Sequence, residues 1–256
     1  MIGITKSEKD KKFTTNVAIG IQARSDSVRF PDKSSATIGS RTIVEHTILA
    51  AQRCAAYLNS PKNTNGISVS VNLLIPYGDM RIRSTIERGN YEVNILEGDP
   101  KDVLSRYVDL QKKTNADYIV RITGDCPKIP PFIITKHITL ACVKTTDYCS
   151  NVWPDDCRTA PDGFDCEVIS SRLLEYINFQ ATDAYNKEHV TTFIRANGLP
   201  PWALSATTVG HLDLSSLKIS VDTQDDLLRT QEEHFKVEDK YALAITKLGR
   251  GNVHRI

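Results

Sequence analysis

The sequence has little net charge and no long apolar run. Its 32 lysine and arginine residues nearly match its 31 aspartate and glutamate residues, which gives a formal net charge of +1 over 256 residues. This balance argues against a protein that binds nucleic acid through a broadly positive surface. No stretch approaches the roughly 18 apolar residues of a membrane-spanning helix, so we expect no membrane span.

Two further absences concern the N-terminus and the cysteines. The opening residues, MIGITKSEKDKKFTTN, lack the apolar segment of a secretory signal. We therefore predict a mobile polar tail over residues 1–15 and a single domain over residues 16–256. The six cysteines form no C-x-x-C pair, and we interpret them as reduced thiols of a cytoplasmic protein, with a metal or disulfide role as the lesser alternative.

The P-loop pattern G-x-x-x-x-G-K-[ST] is also absent, which excludes a P-loop enzyme. The chain instead alternates apolar runs of strand length with helical periodicity as far as about residue 140. The predicted strands are 17–22, 68–75, 93–96 and 117–123, and the predicted helices are 42–57, 80–89, 99–114 and 130–143. This order predicts an α/β protein with a mostly parallel sheet and crossover helices.

The second half of the chain is less regular. The segments DYCSNV (147–152) and FDCEVIS (164–170) predict strands that run across the first sheet. The segment YNKEHVTTFIRANG (185–198) predicts one helix that ends near its glycine. KISV (218–221) predicts a late strand, and the helix after it has Thr223 as its candidate N-cap.

Charged residues follow three of the predicted strands. IQARSDSVRFPDK (21–33) gathers Arg24, Arg29 and Lys33, and arginine and lysine are the usual partners of phosphate oxygens. Asp125 follows the strand at 117–123, and Asp222 follows KISV. Taken singly, these residues also fit a solvated turn, a turn aspartate and a helix cap. Because ligands bind beyond the carboxyl ends of such strands, together they predict a nucleoside triphosphate held through Mg²⁺.

Several blocks in this order resemble the sugar-activating cytidylyltransferases. They are IQARSDSVRFPDK, GDPKDVLSRY, ADYIVRITGDCP, PDGFDCEV, KEHVTTFIR and KISVDTQDDL. The superfamily includes the enzymes that couple CTP to 3-deoxy-manno-octulosonate or to sialic acids, and the resemblance is strongest to the SpsF-like spore-coat polysaccharide biosynthesis subfamily. It implies the nucleotide-diphospho-sugar transferase fold, a Rossmann-like sheet flanked by helices with a less regular β-rich portion.

The resemblance also implies an activity and its partners. The activity is Mg²⁺-dependent transfer of a cytidylyl group from CTP to the anomeric hydroxyl of a small acidic sugar, for surface polysaccharide or glycan biosynthesis. A homodimer is implied through the irregular portion near residues 145–170. Two alternatives stay open: a glycosyltransferase of the same fold, and a degenerate member that binds nucleotide without turnover.

Roles for individual residues follow from their positions in the matching blocks. The implied catalytic residues are Arg24, Lys33 and Asp125, and the implied metal ligands are Asp125 and Asp222. The implied nucleotide-binding residues are Gln22, Ala23, Arg24, Arg29, Lys33 and Thr123. The implied acceptor-binding residues are Asp165, Glu167, His189 and Arg195.

Some of these roles have structural alternatives. Asp165 and Glu167 are spaced to share one face of a strand, where they would bind sugar hydroxyls or form a polar outer face. Arg195 would bind the acceptor carboxylate, and His189 is equally well a packed helix histidine. The sequence departs from the family at Asp32, where a glycine is usual, and this acidic residue beside the phosphates is the best support for a degenerate member.

Overall fold

The computed structural model describes residues 14–27, 30–210, 212–232 and 253–254. Nearly all of the predicted polar tail lies outside the described residues, as does Arg29. The strands are β1 (Thr15–Gln22), β2 (Thr37–Ile38), β3 (Arg41–Thr42), β4 (Ile67–Pro76), β5 (Asn94–Gly98), β6 (Tyr118–Thr123), β7 (Tyr148–Ser150), β8 (Glu167–Ser170), β9 (Ser205–Thr208) and β10 (Val253–His254). The helices are α1 (Ile43–Leu58), α2 (Met80–Gly89), α3 (Val103–Thr114), α4 (Pro131–Lys144), α5 (Ser171–Gln180), α6 (Ala184–His189), α7 (Thr192–Asn197) and α8 (Gln224–Glu232).

Eight of these strands form one sheet in the order β10-β9-β7-β8-β6-β1-β4-β5. The pairs β6–β1, β1–β4, β4–β5 and β7–β9 are parallel, whereas β8 is antiparallel to both β6 and β7. The predicted α/β class with a mostly parallel sheet is therefore confirmed. None of the helices within the described ranges is both long and apolar enough to cross a membrane.

Apolar side chains cover both faces of the central strands. Ile19 and Ile21 of β1 pack on the face of the sheet that carries α1 and α4, whereas Ala18 packs on the face that carries α3 and α5. Successive residues of a strand point to opposite faces, so a strand covered on both sides is apolar throughout. This explains why the sequence of β1 lacks polar alternation.

Two predictions for the second half are wrong. The segments 147–152 and 164–170 do not cross the first sheet but extend it, because β8 pairs antiparallel with β6 from Tyr118↔Ser170 to Arg121↔Glu167. KISV is not a strand. Its backbone instead meets the loop at Asp162, whose carbonyl accepts hydrogen bonds from Ile219 N at 2.7 Å and Ser220 N at 3.0 Å.

Two helix predictions also need correction. The helix predicted from Asp99 begins at Val103, with Asp102 as its N-cap, because the Asp99 carboxylate instead accepts from Lys101 N and Asp102 N in the preceding turn. The single helix predicted over 185–198 is two short helices. Val190 separates them at φ 59° and is fully buried, so burial of this side chain outweighs an unfavourable backbone conformation.

Candidate active site

The carboxyl ends of β1 and β6 lie side by side at the centre of the sheet. Gln22 is paired in register with Thr123, and Gly124 N donates to Gln22 O at 2.8 Å. A β-carbon at Gly124 would lie 2.9 Å from Cβ of Ala23. The glycine therefore allows the segment that carries Asp125 to approach the cationic loop after β1.

Lys33 connects the two carboxylates that the sequence predicts as metal ligands. Its Nζ donates to Asp125 Oδ2 at 2.7 Å and to Asp222 Oδ1 at 3.2 Å. Burial alone would lower the pKa of Lys33, but the charges and hydrogen bonds of both carboxylates raise it. Burial would likewise raise the pKa of Asp222, but Lys218 at 3.1 Å, together with Lys33, lowers it. Lys33 and Asp222 are therefore both charged at neutral pH.

This cluster fits a divalent cation that is shared with a ligand. Oxygens of Asp125 and Asp222 already converge on one positive charge, the ammonium of Lys33. Within the described part of the chain, no group of three or more histidine, cysteine or acidic residues is placed to enclose a metal ion. Two carboxylates suffice for a divalent cation that completes its coordination with water and phosphate oxygens.

A cavity of about 310 Å³ opens over these strand ends. Eight of the predicted site residues line it: Gln22, Ala23, Arg24, Lys33, Thr123, Asp125, His189 and Asp222. Two ion pairs fasten α6 across it, Arg24 with Glu188 at 3.3 Å and Lys187 with Asp102 at 3.3 Å. The structure therefore brings together the cationic loop, the paired carboxylates and the α6 histidine.

A second cavity of about 240 Å³ adjoins the first and shares Arg121, Thr123 and His189 with it. Asp165 and Arg195 of the predicted acceptor set line it. Burial raises the pKa of Asp165 to about 6, although Arg158 at 2.7 Å opposes the rise. Arg195 donates to Asp155 at 2.6 Å, so its charge already has a partner.

Glu167 does not reach either cavity as a free carboxylate. It begins β8, whereas Asp165 lies in the loop before that strand, so the two do not share the predicted strand face. The side chain of Glu167 is 2% exposed and bonds to Arg121 and Tyr148. Burial would raise the pKa of Glu167, but the charge of Arg121 keeps it below the ordinary value. Glu167 therefore contacts Arg121, which lines both cavities, and lines neither cavity itself.

Asp32, the acidic departure from the family, has a partner of its own. It takes the left-handed conformation, φ 60°, and forms an ion pair with Arg81 of α2. Aspartate tolerates this backbone region better than most residues. The ion pair gives the carboxylate a neutralising neighbour on the side of α2, which removes much of the argument for a degenerate site.

The cysteines near the site have no chemical signature of a nucleophile. All six are free thiols, and Cys126, next to Asp125, is fully buried with its pKa raised by that burial. A buried thiol with a raised pKa is unreactive near neutral pH. This argues against Cys126 as a nucleophile beside Asp125.

Two cavity residues were missed by sequence reasoning. Arg106 of α3 and Arg121 of β6 line the main cavity, but each lies inside a regular element, where the sequence pattern predicts packing. Both belong to the quoted blocks GDPKDVLSRY and ADYIVRITGDCP. The sequence signal that could have revealed them is a single arginine within a strand or helix whose other residues are mostly apolar, because such a charge is rarely buried without a partner.

The fold and the site together fit the class of nucleotide-binding α/β proteins, in which ligands bind at the carboxyl ends of the central strands. The sequence profile of the family described as Cytidylyltransferase matches residues 18–232. The chain belongs to that family, and the predicted activity class, a nucleotidyltransferase, follows from this membership.

Individual relatives agree with the family assignment. The spore coat polysaccharide biosynthesis protein SpsF of Bacillus subtilis is 27% identical over 209 residues, which cover 80% of this chain and 81% of that protein. A cytidylyltransferase of Leptospira borgpetersenii has a TM-score of 0.72 at 23% identity, over 92% of this chain and 99% of that one. CMP:2-keto-3-deoxy-manno-octonic acid synthetase, solved as a complex with CTP, has a TM-score of 0.58 at 15% identity, over 91% of this chain and 100% of that one. The predicted SpsF-like resemblance and its fold are therefore confirmed.

Proposed function

We propose that the chain transfers a cytidylyl group from CTP to the anomeric hydroxyl of an acidic sugar, releasing pyrophosphate and a CMP-sugar for surface glycan synthesis. The observation that carries this proposal is the convergence of Lys33, Asp125 and Asp222 at the strand ends that open into the main cavity. The CTP bound to the structurally similar CMP-sugar synthetase supports the choice of nucleotide. The predicted homodimer and cytoplasmic location stay predictions.

The main cavity binds and positions the triphosphate in this proposal. The acceptor hydroxyl loses its proton to water, and its oxygen forms a bond to the α-phosphorus while the bond from that phosphorus to the pyrophosphate oxygen breaks. Arg24 and Lys33 stabilise the negative charge that grows on the departing pyrophosphate. Catalysis thus depends on position and charge, and no protein nucleophile is needed.

Asp125 and Asp222 would hold Mg²⁺ against the phosphates. The bound ion would neutralise phosphate charge and polarise the α-phosphate for attack. Lys33 contacts both carboxylates in the present arrangement. With those carboxylates engaged by a divalent cation, the ammonium of Lys33 would be available to donate to the phosphate oxygens.

The second cavity holds the acceptor in this proposal. Asp165 accepts a hydrogen bond from a sugar hydroxyl, and His189 and Arg195 contact the sugar from α6 and α7. Glu167 acts through Arg121 and is a positioning residue. Since Arg121, Thr123 and His189 line both cavities, the two substrates meet at these residues.

Two measurements test the proposed function. A thermal-shift series with Mg²⁺ should show stabilisation chiefly by CTP among the four ribonucleoside triphosphates, because a ligand stabilises the state that it binds. CTP-dependent pyrophosphate release is then measured with 3-deoxy-manno-octulosonate, N-acetylneuraminate and related keto-sugar acids. Equal shifts from all four nucleotides would refute the cytidylyl assignment, and CTP binding without release from any acid would favour a degenerate binder.

A further inference from the structure

Two arginines in the wall of the main cavity have a buried Nε without a hydrogen-bond partner. They are Arg106 and Arg121, and in the described part of the chain only five buried side-chain nitrogen or oxygen atoms lack a partner. An unsatisfied buried donor costs about 1–3 kcal/mol, and more when it is charged. Two such donors in one cavity therefore indicate an anionic ligand.

Arg106 is the more unusual of the two. It is 3% exposed, and its Nη1 donates to the carbonyl oxygen of Leu74 at 3.3 Å. Among the described residues, no carboxylate lies within ion-pair distance of its guanidinium. Burial lowers the pKa of Arg106, which is the direction expected for a desolvated cation that lacks an acidic partner.

The fold makes room for this arginine. A β-carbon at Gly98, the last residue of β5, would collide with Cγ of Arg106. The backbone at the end of β5 is therefore shaped around a long side chain that leads to the cavity. A buried position with no further purpose favours an aliphatic side chain, because an unpaired buried cation is destabilising.

Arg121 reaches the same region from the sheet. It is paired in register with Gly20 in the neighbouring parallel strand, and Gly20 faces Tyr107 of α3, so Arg121 also points to the face that carries α3. Burial raises the pKa of Tyr107, and the charges of Arg121 and Arg106 both oppose that rise. Both guanidinium groups therefore lie near one phenol.

Glu167 fixes the orientation of Arg121. The carboxylate bonds to Nη1 of Arg121 and to the hydroxyl of Tyr148, which leaves Nε of Arg121 unpartnered beside the cavity. An arginine held in this way presents a planar fork of donors, the geometry that matches two oxygens of a carboxylate.

We propose that Arg106 and Arg121 form the subsite for the carboxylate of the acceptor sugar, a proposal that rests on the proposed function. A carboxylate is favoured over the nucleotide α-phosphate for two reasons. Arg24 and Lys33 already supply cations on the loop beside the paired carboxylates, and Arg121 lines both cavities, where the acceptor must approach. Arg195, already bonded to Asp155, contacts the sugar at another point.

The test uses the full chain and pyruvate, the smallest 2-keto acid, as the carboxylate probe, with acetone as its uncharged counterpart. Pyruvate at about 50 mM should raise the Tm of the unchanged protein, and acetone should not. Arg106→Met keeps the packing volume and removes the guanidinium. We expect it to weaken pyruvate binding at least about tenfold while leaving the ligand-free Tm unchanged or raised.

Arg53→Met is the matched control, because Arg53 is exposed on α1, away from the cavity, and it should leave pyruvate binding intact. Arg121→Lys is the second variant: it keeps a cation for Glu167 and loses the fork, so pyruvate binding should fall while the fold is retained. CTP binding, measured by calorimetry with Mg²⁺, should change less than about threefold in Arg106→Met.

Each remaining outcome overturns the proposal. A ligand-free Tm lowered by more than about 5 °C in Arg106→Met would make Arg106 a structural residue. A tenfold or larger loss of CTP affinity would assign the arginine to the α-phosphate. If pyruvate raises the Tm of the unchanged protein and of Arg106→Met equally, or raises neither, a carboxylate subsite here is excluded. If the unchanged protein does not bind CTP, the proposed function fails first, and the pyruvate result is judged separately.

Discussion

Replacing Lys33 with methionine removes the cation that Asp125 and Asp222 share, with little change in side-chain length. The Lys33 side chain is 14% exposed, and those of Asp125 and Asp222 are 27% and 18% exposed. A charge pair about 4 Å apart near a protein surface interacts by about 4 kcal/mol before desolvation is counted. Lys218 still neutralises part of Asp222. We therefore expect the free energy of unfolding to fall by only about 1–2 kcal/mol.

The same substitution should have opposite effects on metal binding and on activity. Without Lys33, both carboxylates face a divalent cation unopposed, so the affinity for Mg²⁺ in the absence of nucleotide should rise about tenfold. The departing pyrophosphate loses a cation at the same time. We expect kcat/KM for CTP to fall by about 2–4 kcal/mol in barrier terms.

The stability loss should be flat with pH near neutrality. Lys33 has a raised pKa, so its contribution is complete below its ordinary pKa of 10.5 and is lost only at higher pH. Asp222 has a lowered pKa, so its contribution is complete above its ordinary pKa of 3.8 and is lost as the pH falls below that value. Between about pH 5 and pH 9, the difference from the unchanged protein should therefore be constant.

The assays are urea unfolding at several pH values, Mg²⁺ calorimetry without nucleotide, and pyrophosphate release with CTP. Lys62→Met is the control, because Lys62 is exposed in the turn after α1. If Lys33→Met leaves stability, Mg²⁺ affinity and kcat/KM all within error of the control, the shared ion pair is not present in solution and the proposed site is wrong.

Three further predictions concern single carboxylates. Asp125→Asn keeps the shape of a metal ligand and removes its charge, so kcat/KM should fall by about 10²-fold or more at saturating Mg²⁺; activity within about threefold of the unchanged protein would remove Asp125 from the site. The pKa of Asp165 is raised to about 6, so its carboxylate should lose the ability to accept a hydrogen bond from the sugar as the pH falls below that value. The KM for the sugar should therefore rise below pH 6 in the unchanged protein and stay level in Asp165→Asn. Asp32→Gly should relieve the left-handed backbone and remove a weak exposed ion pair, and it should raise CTP affinity less than about threefold at low salt. Asp32→Asn is the control that removes the charge alone. A tenfold loss of kcat in either variant would show that Asp32 has a role of its own.

Much of the α/β half follows from local signals. The helix over Met80–Gly89 lies where the charged helical pattern places it, and the helix over Pro131–Lys144 begins at the predicted prolines. Thr223 caps α8 as predicted, because Asp226 N donates to Thr223 Oγ1 and Thr223 N donates to the Asp226 carboxylate. Periodicity and caps involve neighbours in the chain, so sequence alone reveals them.

The second half depends on contacts that are remote in sequence. Nothing local in FDCEVIS shows that β8 will pair antiparallel with β6, because the pairing satisfies the edge of a strand formed much earlier in the chain. The break at Val190 arises in the same way. The pattern of residues 185–198 is helical throughout, but burial of one valine against the α3 face decides where the helix ends.

The sequence by itself determined the layered α/β order, the cationic loop and the two carboxylates that follow their strands, because each is a local pattern beside an apolar run. Only the tertiary structure decided which charges meet. It placed Lys33 between Asp125 and Asp222, paired Asp32 with Arg81, and sent Glu167 behind Arg121. It also left Arg106 buried without an acidic partner. Charge partners and burial are set by packing between distant segments, and packing is the information that a linear pattern does not contain.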